Sequence, residues 1–341
     1  MTMRDERLIL NTGTSIADKI KARARNTNQD AQFLLRRFAT ERFLVRLENS
    51  RFSGNWCLKG GLLMLTLPGE LSRPTEDLDI TTLSAFESDS IISAIREIAG
   101  MDPPSEDGLT YSVDERSSHT SRDGGANPGL RVAVNATLHS RAALIQLRLK
   151  IDAAHGDVIS PHPSVGRFPQ TCAGFEPPVM PVYPWETVVA EKIHAIMRHG
   201  FFNSRIKDFY DLVAISRQIF FQGPELSQAI HATFERRIEP ELERNPIGFS
   251  SEFIESKESE WKKFIRSRGV RGDLGNFGAA VREVSEFLMP VITSIIDGEK
   301  FDMEWKPGSG WEEMPRALSL RSPSRLAHDF VENDYSTAMR P

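Results

Sequence analysis

Leu71-Ser72-Arg73-Pro74-Thr75-Glu76-Asp77-Leu78-Asp79-Ile80 is the stretch on which the reading of this chain turns. Asp77 and Asp79 stand two apart and run into a β-branched segment, Ile80-Thr81-Thr82. On a strand, residues i and i+2 point to one face. Two carboxylates placed that way repel, and each raises the other's pKa unless a cation lies between them. Oxygen ligands at this spacing suit Mg²⁺, which is commonly bound by one or two carboxylates together with substrate phosphates. A lone Asp-x-Asp triplet is more often a turn or surface feature, so the flanking sequence has to decide.

Upstream, Trp56-Cys57-Leu58-Lys59-Gly60-Gly61 leads into Leu62-Leu63-Met64-Leu65. This reads as a strand end, a Gly-Gly turn and an apolar, helix-like run. Glycines at such a turn let backbone N–H groups approach a phosphate, and a helix N-terminus adds favourable partial charge. A phosphate cradle thus precedes the carboxylate pair by about fifteen residues, a return distance that suits one short helix and a turn. A cradle and a metal-binding pair are the minimal apparatus for phosphoryl or nucleotidyl transfer.

The two stretches together, L-K-G-G and R-P-T-E-D-L-D-I, resemble the AbiEii-type nucleotidyltransferase family, the toxin half of AbiE-like (type IV) toxin–antitoxin pairs, to which the MenT toxins are related. The run Phe38–Ser50 is similar to the helix that precedes the motif in that family. The resemblance implies an α+β fold: a polymerase-β-like nucleotidyltransferase core, with a mixed sheet and flanking helices, followed by a C-terminal helical domain. It also implies a third carboxylate on a later strand. Asp152 fits that place. It closes the alternating segment Ile145, Leu147, Leu149, Ile151, whose other face carries Gln146, Arg148, Lys150 and Asp152. With the preceding segment Leu130–Leu138 it reads as a half-buried antiparallel hairpin. The resemblance assigns Asp77, Asp79 and Asp152 to the metal, and Asp152 also to activation of the attacking hydroxyl.

Further along, Y-P-W-E-T-V-V-A-E-K-I-H-A-I, from Tyr183, is similar to a family helix whose lysine contacts the nucleotide phosphates. Carried over, that lysine is Lys192; on sequence alone it would be a solvated helix charge. Arg205-Ile206-Lys207-Asp208-Phe209-Tyr210-Asp211-Leu212 matches a second family motif that holds an essential acid. Asp208, crowded by Lys207 and Arg205, is the first choice, with Asp211 fixing the helix against its partner. Lys59 could meet a phosphate or end its strand in solvent. Arg73 could contact a triphosphate or form a surface ion pair. Thr75 shares a face with Asp77 if the strand extends that far.

The 341 residues suffice for two domains. The expected division is 1–170 for the core with its basic N-terminal helices, 180–297 for the helical domain, and 298–341 for a weakly ordered tail poor in aliphatic residues. No apolar run approaches the roughly 18 residues that span a bilayer, and the N-terminus lacks the apolar core of a signal peptide. Two cysteines, Cys57 and Cys172, make neither a disulfide framework nor a zinc site by themselves. A cytoplasmic protein with no membrane partner is the expectation.

Net charge is −5, against indiscriminate nucleic-acid binding, yet residues 1–60 hold 12 Lys and Arg against 6 Asp and Glu. That basic region could receive an RNA backbone, or pair with acids elsewhere in the chain. Helices are expected over 13–27, with Thr14 or Ser15 as N-cap, over 30–47 capped by Asp30, over 87–99, and over Phe277–Ile296. Met101–Pro128 reads as a loop with a short strand at Leu109–Val113, and the stretch from His155 to Pro184 as a connecting loop.

The function expected from the resemblance is Mg²⁺-dependent transfer of a nucleoside monophosphate from an NTP to an acceptor hydroxyl, the tRNA 3′ end. The outcome would be growth arrest or abortive phage infection, opposed by a separately encoded antitoxin that need not bind directly. Modification of a protein or a small molecule, and a non-catalytic nucleotide-binding role, stay open as alternatives.

Overall fold

The computed structural model describes residues 3–67, 75–83, 88–121, 129–203, 205–237, 239–267 and 274–314. Two helices, α1 (Met3–Thr27) and α2 (Ala31–Glu48), lead into β1 (Trp56–Lys59), a seven-residue 3-10 helix (Gly60–Thr66), β2 (Asp77–Thr82) and α3 (Ser88–Ala99). Then come β3 (Leu109–Ser121), β4 (Gly129–His139), β5 (Leu144–His155), β6 (Ser164–Arg167) and β7 (Val179–Val182). The remainder is α4 (Trp185–His199), α5 (Ile206–Ser216), β8 (Phe221–Gln222), α6 (Gly223–Arg237), α7 (Ser251–Ser267), α8 (Phe277–Asp297), β9 (Met303–Lys306) and β10 (Gly310–Glu313).

The seven strands β1 to β7 form one mixed sheet in the order β3-β4-β5-β2-β1-β7-β6. β2 is parallel to β5 and β1 is parallel to β7; the other neighbours are antiparallel. Leu58, Leu78, Ile80, Val132, Val134, Leu149 and Ile151 alternate into a buried face, and α1, α2 and α3 pack on the central and β3-side strands. The polar residues between them fall on the opposite face, as a period of two requires. The expected mixed sheet with flanking helices and a helical C-terminal part is what forms.

Asp30 caps α2 as expected, accepting from Phe33 N at 2.6 Å. β4 and β5 fall where alternation places them, β1 is the strand expected before the glycines, and α8 begins at Phe277, capped by Asn276. Several expectations need correction. α1 starts ten residues early, so Thr14 is internal: its hydroxyl donates back to Leu10 O and accepts from Arg141 N. A threonine hydroxyl can bond within the preceding turn as well as cap a helix. β3 runs well past Val113, because β4 supplies a partner along its length. The stretch after His155, expected as loop, contains β6 and β7; β7 completes the sheet beside β1 through Leu58 and Val182. The weakly ordered tail does not begin at 298. β9 and β10 form a hairpin that joins β8 in a second sheet. The Trp305 indole donates to Ser216 O at 2.7 Å, and that of Trp311 to Phe287 O at 2.9 Å. Few aliphatics were needed, since two tryptophans supply the apolar area. Residues 315–341 lie outside the described residues.

Several cations of the basic N-terminal region are held within the fold. Arg46 is buried in a fork with Asp107, at 2.6 and 3.1 Å. Arg42 meets Glu41, Arg51 meets Glu97, Arg36 meets Glu76, and Arg23 donates to Thr171 O. For these cations the structure shows intramolecular pairing, while Arg7, Lys19, Lys21 and Arg25 of α1 are exposed. Cys57 and Cys172 are buried and unbridged. Among the described residues no helix is long and apolar enough to cross a membrane.

α4 buries His194 edge-on to Phe234, with Nε2 donating to Glu239 O at 3.0 Å and Nδ1 without a partner. Burial, and then Arg237, push its pKa down to about 4. The unfolded chain therefore binds a proton that the fold refuses once pH drops below about 6.5. Urea unfolding should show a loss of about 2 kcal/mol between pH 7.5 and pH 5 from this group, and His194→Leu should flatten that part of the profile. An unchanged profile in the variant would exclude His194 as its source.

Candidate active site

The site is built on one row across the sheet. Arg131 on β4 is the register partner of Asp152 on β5; Asp152 is that of Asp79 on β2; Asp79 is that of Lys59 on β1. Direct cross-strand neighbours lie about 4.5–5.5 Å apart at Cβ on one face. Cation, anion, anion and cation thus stand in line. A shorter row beside it holds Lys150 and Asp77, whose charged atoms are 4.0 Å apart at a half-exposed position. The central pair is more enclosed, and the row ends at Lys59, whose side chain is only 15% exposed.

Each group has a definite partner. Arg131 clamps Asp152 with two bonds, Nε to Oδ1 at 2.6 Å and Nη2 to Oδ2 at 2.5 Å. Lys59 meets Asp157 at 2.6 Å, and the Tyr183 hydroxyl donates to the same carboxylate at 2.7 Å. Lys59 therefore does not end its strand in solvent. Burial opposes its charge, but Glu191, Asp157 and Asp79 outweigh that, and its pKa stands at about 12. Asp79 is raised to about 6, first by burial and then by Asp152 and Asp77, against the opposing pull of Lys59 and the Gly61 N–H. Asp79 Oδ2 accepts from Gly61 N at 3.4 Å.

The glycine turn is tied to Asp79. Gly60 has φ +69°, and a Cβ there would lie 2.0 Å from Asp79 Oδ2. Only glycine lets the turn close over the carboxylate. The run behind it is a short 3-10 helix and not the α-helix that its apolar sequence suggested, so the dipole of a full helix is absent. Thr75 precedes β2 by two residues and stands off the ladder. Arg73 lies outside the described residues.

A second charged cluster joins α4 to α5. Lys192 Nζ is 3.1 Å from Asp208 Oδ1 and 2.6 Å from Asp211 Oδ2, and Arg205 Nε is 3.0 Å from Asp208 Oδ2. Both carboxylates are buried. Lys192 is thus no solvated helix charge, and Asp208 and Asp211 share it. The adjacent Glu191 bonds Arg237 at 2.7 Å and is the leading charge acting on Lys59. Glu191 therefore links the two clusters. Sequence reading missed it, together with Arg131, Asp157 and Tyr183. Glu191 was visible only as the residue before Lys192, and Arg131 only as a polar residue in an alternating strand.

The donors bear on a metal ion as follows. Asp77 and Asp79 share a face, and Asp79 carries the raised pKa of crowded, desolvated carboxylates. That pair fits a hard divalent cation whose remaining ligands are substrate oxygens. Among the described residues no group of three or more His, Cys, Asp and Glu is arranged to hold a metal; Asp152, the expected third ligand, is the register partner of Asp79. Both Asp152 oxygens are committed to Arg131.

The sequence of residues 42–283 matches the family model described as "Nucleotidyl transferase AbiEii toxin, Type IV TA system". Among solved structures the fold is similar to that of MenT4, a nucleotidyltransferase toxin from Mycobacterium tuberculosis H37Rv. The TM-score is 0.50 at 20% identity, over 83% of this chain and 88% of that one. No curated protein matches by sequence.

Two substitutions test the architecture apart from activity. Lys192→Met leaves Asp208 and Asp211 facing each other without their shared cation. It should lower unfolding free energy by about 3 kcal/mol or more, and a second change, Asp211→Asn, should recover part of the loss. Gly60→Ala forces Asp79 aside and should cost about 1–3 kcal/mol from the left-handed turn and the clash. Wild-type stability in either single variant, measured by urea titration, would contradict the geometry.

Proposed function

The chain belongs to the AbiEii family of nucleotidyltransferase toxins of type IV toxin–antitoxin systems, and from that premise we propose that it transfers a nucleoside monophosphate from an NTP to the 3′ hydroxyl of tRNA. The observation that carries the reading is the register of Asp152, Asp79 and Lys59 beside the Gly60 turn. It concentrates two anions and a buried cation beside the glycine turn.

In this reading Asp77 and Asp79 hold Mg²⁺, which when bound offsets their repulsion and the charge of the triphosphate. Gly60 and Gly61 bring the turn against Asp79, so that the phosphates would meet the turn and the metal-binding carboxylate together. Lys59 keeps the floor of the site positive and is oriented by Asp157 and Tyr183. Lys192, set by Asp208 and Asp211, supplies positive charge toward the triphosphate from α4. Arg73 and Thr75, on the arm before Asp77, are proposed nucleotide contacts.

The acceptor oxygen attacks the α-phosphorus in line, the new O–P bond forms as the bridging P–O bond breaks, and pyrophosphate leaves with that electron pair. The hydroxyl proton passes to a carboxylate. Asp152 is suited to this by its place beside Asp79, with Arg131 fixing its orientation. Growth arrest or abortive infection would follow from blocked tRNA, and the cognate antitoxin would act from a separate gene.

Incubation with total tRNA, Mg²⁺ and each α-³²P-labelled NTP in turn should label tRNA with at least one nucleotide. Asp79→Ala should reduce labelling by about 100-fold or more. Label on a co-purified protein would keep the chemistry and replace the acceptor. No label with any of the four NTPs on folded protein would favour a non-catalytic nucleotide-binding role.

A further inference from the structure

The turn between α4 and α5 carries a feature that neither helix explains. Gly200 ends α4 at φ +49° and throws Phe201 and Phe202 outward. Phe202 is 91% exposed, the most exposed large apolar side chain among the described residues outside the strands. Phe201 is 41% exposed and anchored edge-on to Phe253 of α7, at 6.2 Å. Its ring stands 6.5 Å from that of Phe202, at 86°. Asn203, buried directly after the pair, accepts from Arg205 N and ties the turn to the start of α5. Single exposed apolar residues are ordinary, but adjacent aromatic rings on a braced turn form a small patch.

The charge along the segment that carries it is one-sided. From Lys192 to Lys207 the chain has no acidic residue, in a protein with 47 of them. Arg198, His199, Arg205 and Lys207 are exposed on that segment. The next acids, Asp208 and Asp211, are buried under Lys192 and Arg205; exposed acids return at Glu235 on α6, at Glu239, Glu241 and Glu243 after it, and at Glu252 and Glu255 on α7. An aromatic face beside cations suits a ligand with flat rings and a phosphate backbone. A protein partner of ordinary composition does not require the absence of acids. Arg205 also contacts Asp208, which holds Lys192, so the patch sits at the rim of the second charged cluster.

We propose that Phe202, seated on Phe201 and flanked by Arg198, His199, Arg205 and Lys207, is a stacking platform for an unpaired nucleobase of a single-stranded RNA acceptor. The proposal rests on the RNA-acceptor reading above and deepens it, by assigning the residue that grips a base near the reacting end. The bond is non-covalent. Stacking holds the base and the cations hold its phosphates, which leaves sequence preference weak.

The test is fluorescence anisotropy of a fluorescein-labelled single-stranded RNA dodecamer with the full chain, without NTP. Phe202→Ala should weaken binding by about 5-fold or more, within the range for loss of one base–aromatic stack. Phe202→Trp should restore it. The melting temperature should be unchanged in both, since Phe202 packs on little. The same RNA annealed to its complement should bind more weakly and be indifferent to Phe202→Ala. Wild-type binding that Phe202→Ala leaves intact would overturn the platform alone, with RNA still the acceptor. Absence of RNA binding in the wild type would overturn the acceptor reading and the platform together. A solution dimer that Phe202→Ala makes monomeric, with RNA affinity unchanged, would assign the patch to self-association instead.

Discussion

Parallel pairing of β2 with β5 is the constraint on which the site depends. It sets Asp79 directly beside Asp152, and Asp77 beside Lys150. A parallel pair needs a long crossover, and here α3, β3 and β4 intervene, so nothing local fixes the register. The alternation fixes it instead. Leu78, Ile80, Leu149 and Ile151 must all enter the core, and a slip of one residue would turn each carboxylate inward. Burial of the aliphatic set therefore places the charged set, and the site is the reverse side of the core.

That placement is electrostatically costly unless it is matched. Crowded carboxylates at partly buried positions raise each other's pKa, as Asp79 shows. The fold answers with cations at both ends of the row, Arg131 outside and Lys59 inside. Neither acts alone: Lys59 is held by Asp157 and Tyr183, and Glu191 acts on it from α4. Asp152 is fixed by a two-pronged guanidinium contact of the kind that gives geometric specificity, whereas Asp79 accepts from the Gly61 N–H.

The C-terminal helices repeat the logic without a sheet. Lys192 reaches from α4 to two buried carboxylates on α5, and the arrangement holds only if the two helices pack as they do. The turn between them is set by Gly200 in the left-handed region and by Asn203. The hairpin β9–β10 then closes the far side through the Trp305 and Trp311 indoles. Removing one partner from any of these buried ionic groups strands the others, a larger effect than the net worth of an intact pair.

Much of this was legible along the chain. Alternation in Leu130–Leu138 and Ile145–Ile151 marked β4 and β5, Asp30 marked the start of α2, and Gly60-Gly61 with Asp77 and Asp79 marked the part of the sheet that carries the candidate site. Family-specific patterns added Asp152, Lys192 and Asp208. The short strands β6 and β7 were not legible, because four residues rich in Pro and Gly carry no period. Nor were β9 and β10, whose stability comes from two tryptophans against a distant helix. Local sequence determined which residues could form the elements and which faces had to be buried, since both follow from side-chain spacing of two or about 3.6. Tertiary structure alone decided that Arg131 takes both oxygens of Asp152, that Lys59 answers to Asp157 and Glu191, and that Asp208 and Asp211 share one lysine. Those are interactions between residues 16 to 132 positions apart, and no local periodicity encodes a charge partner at that range.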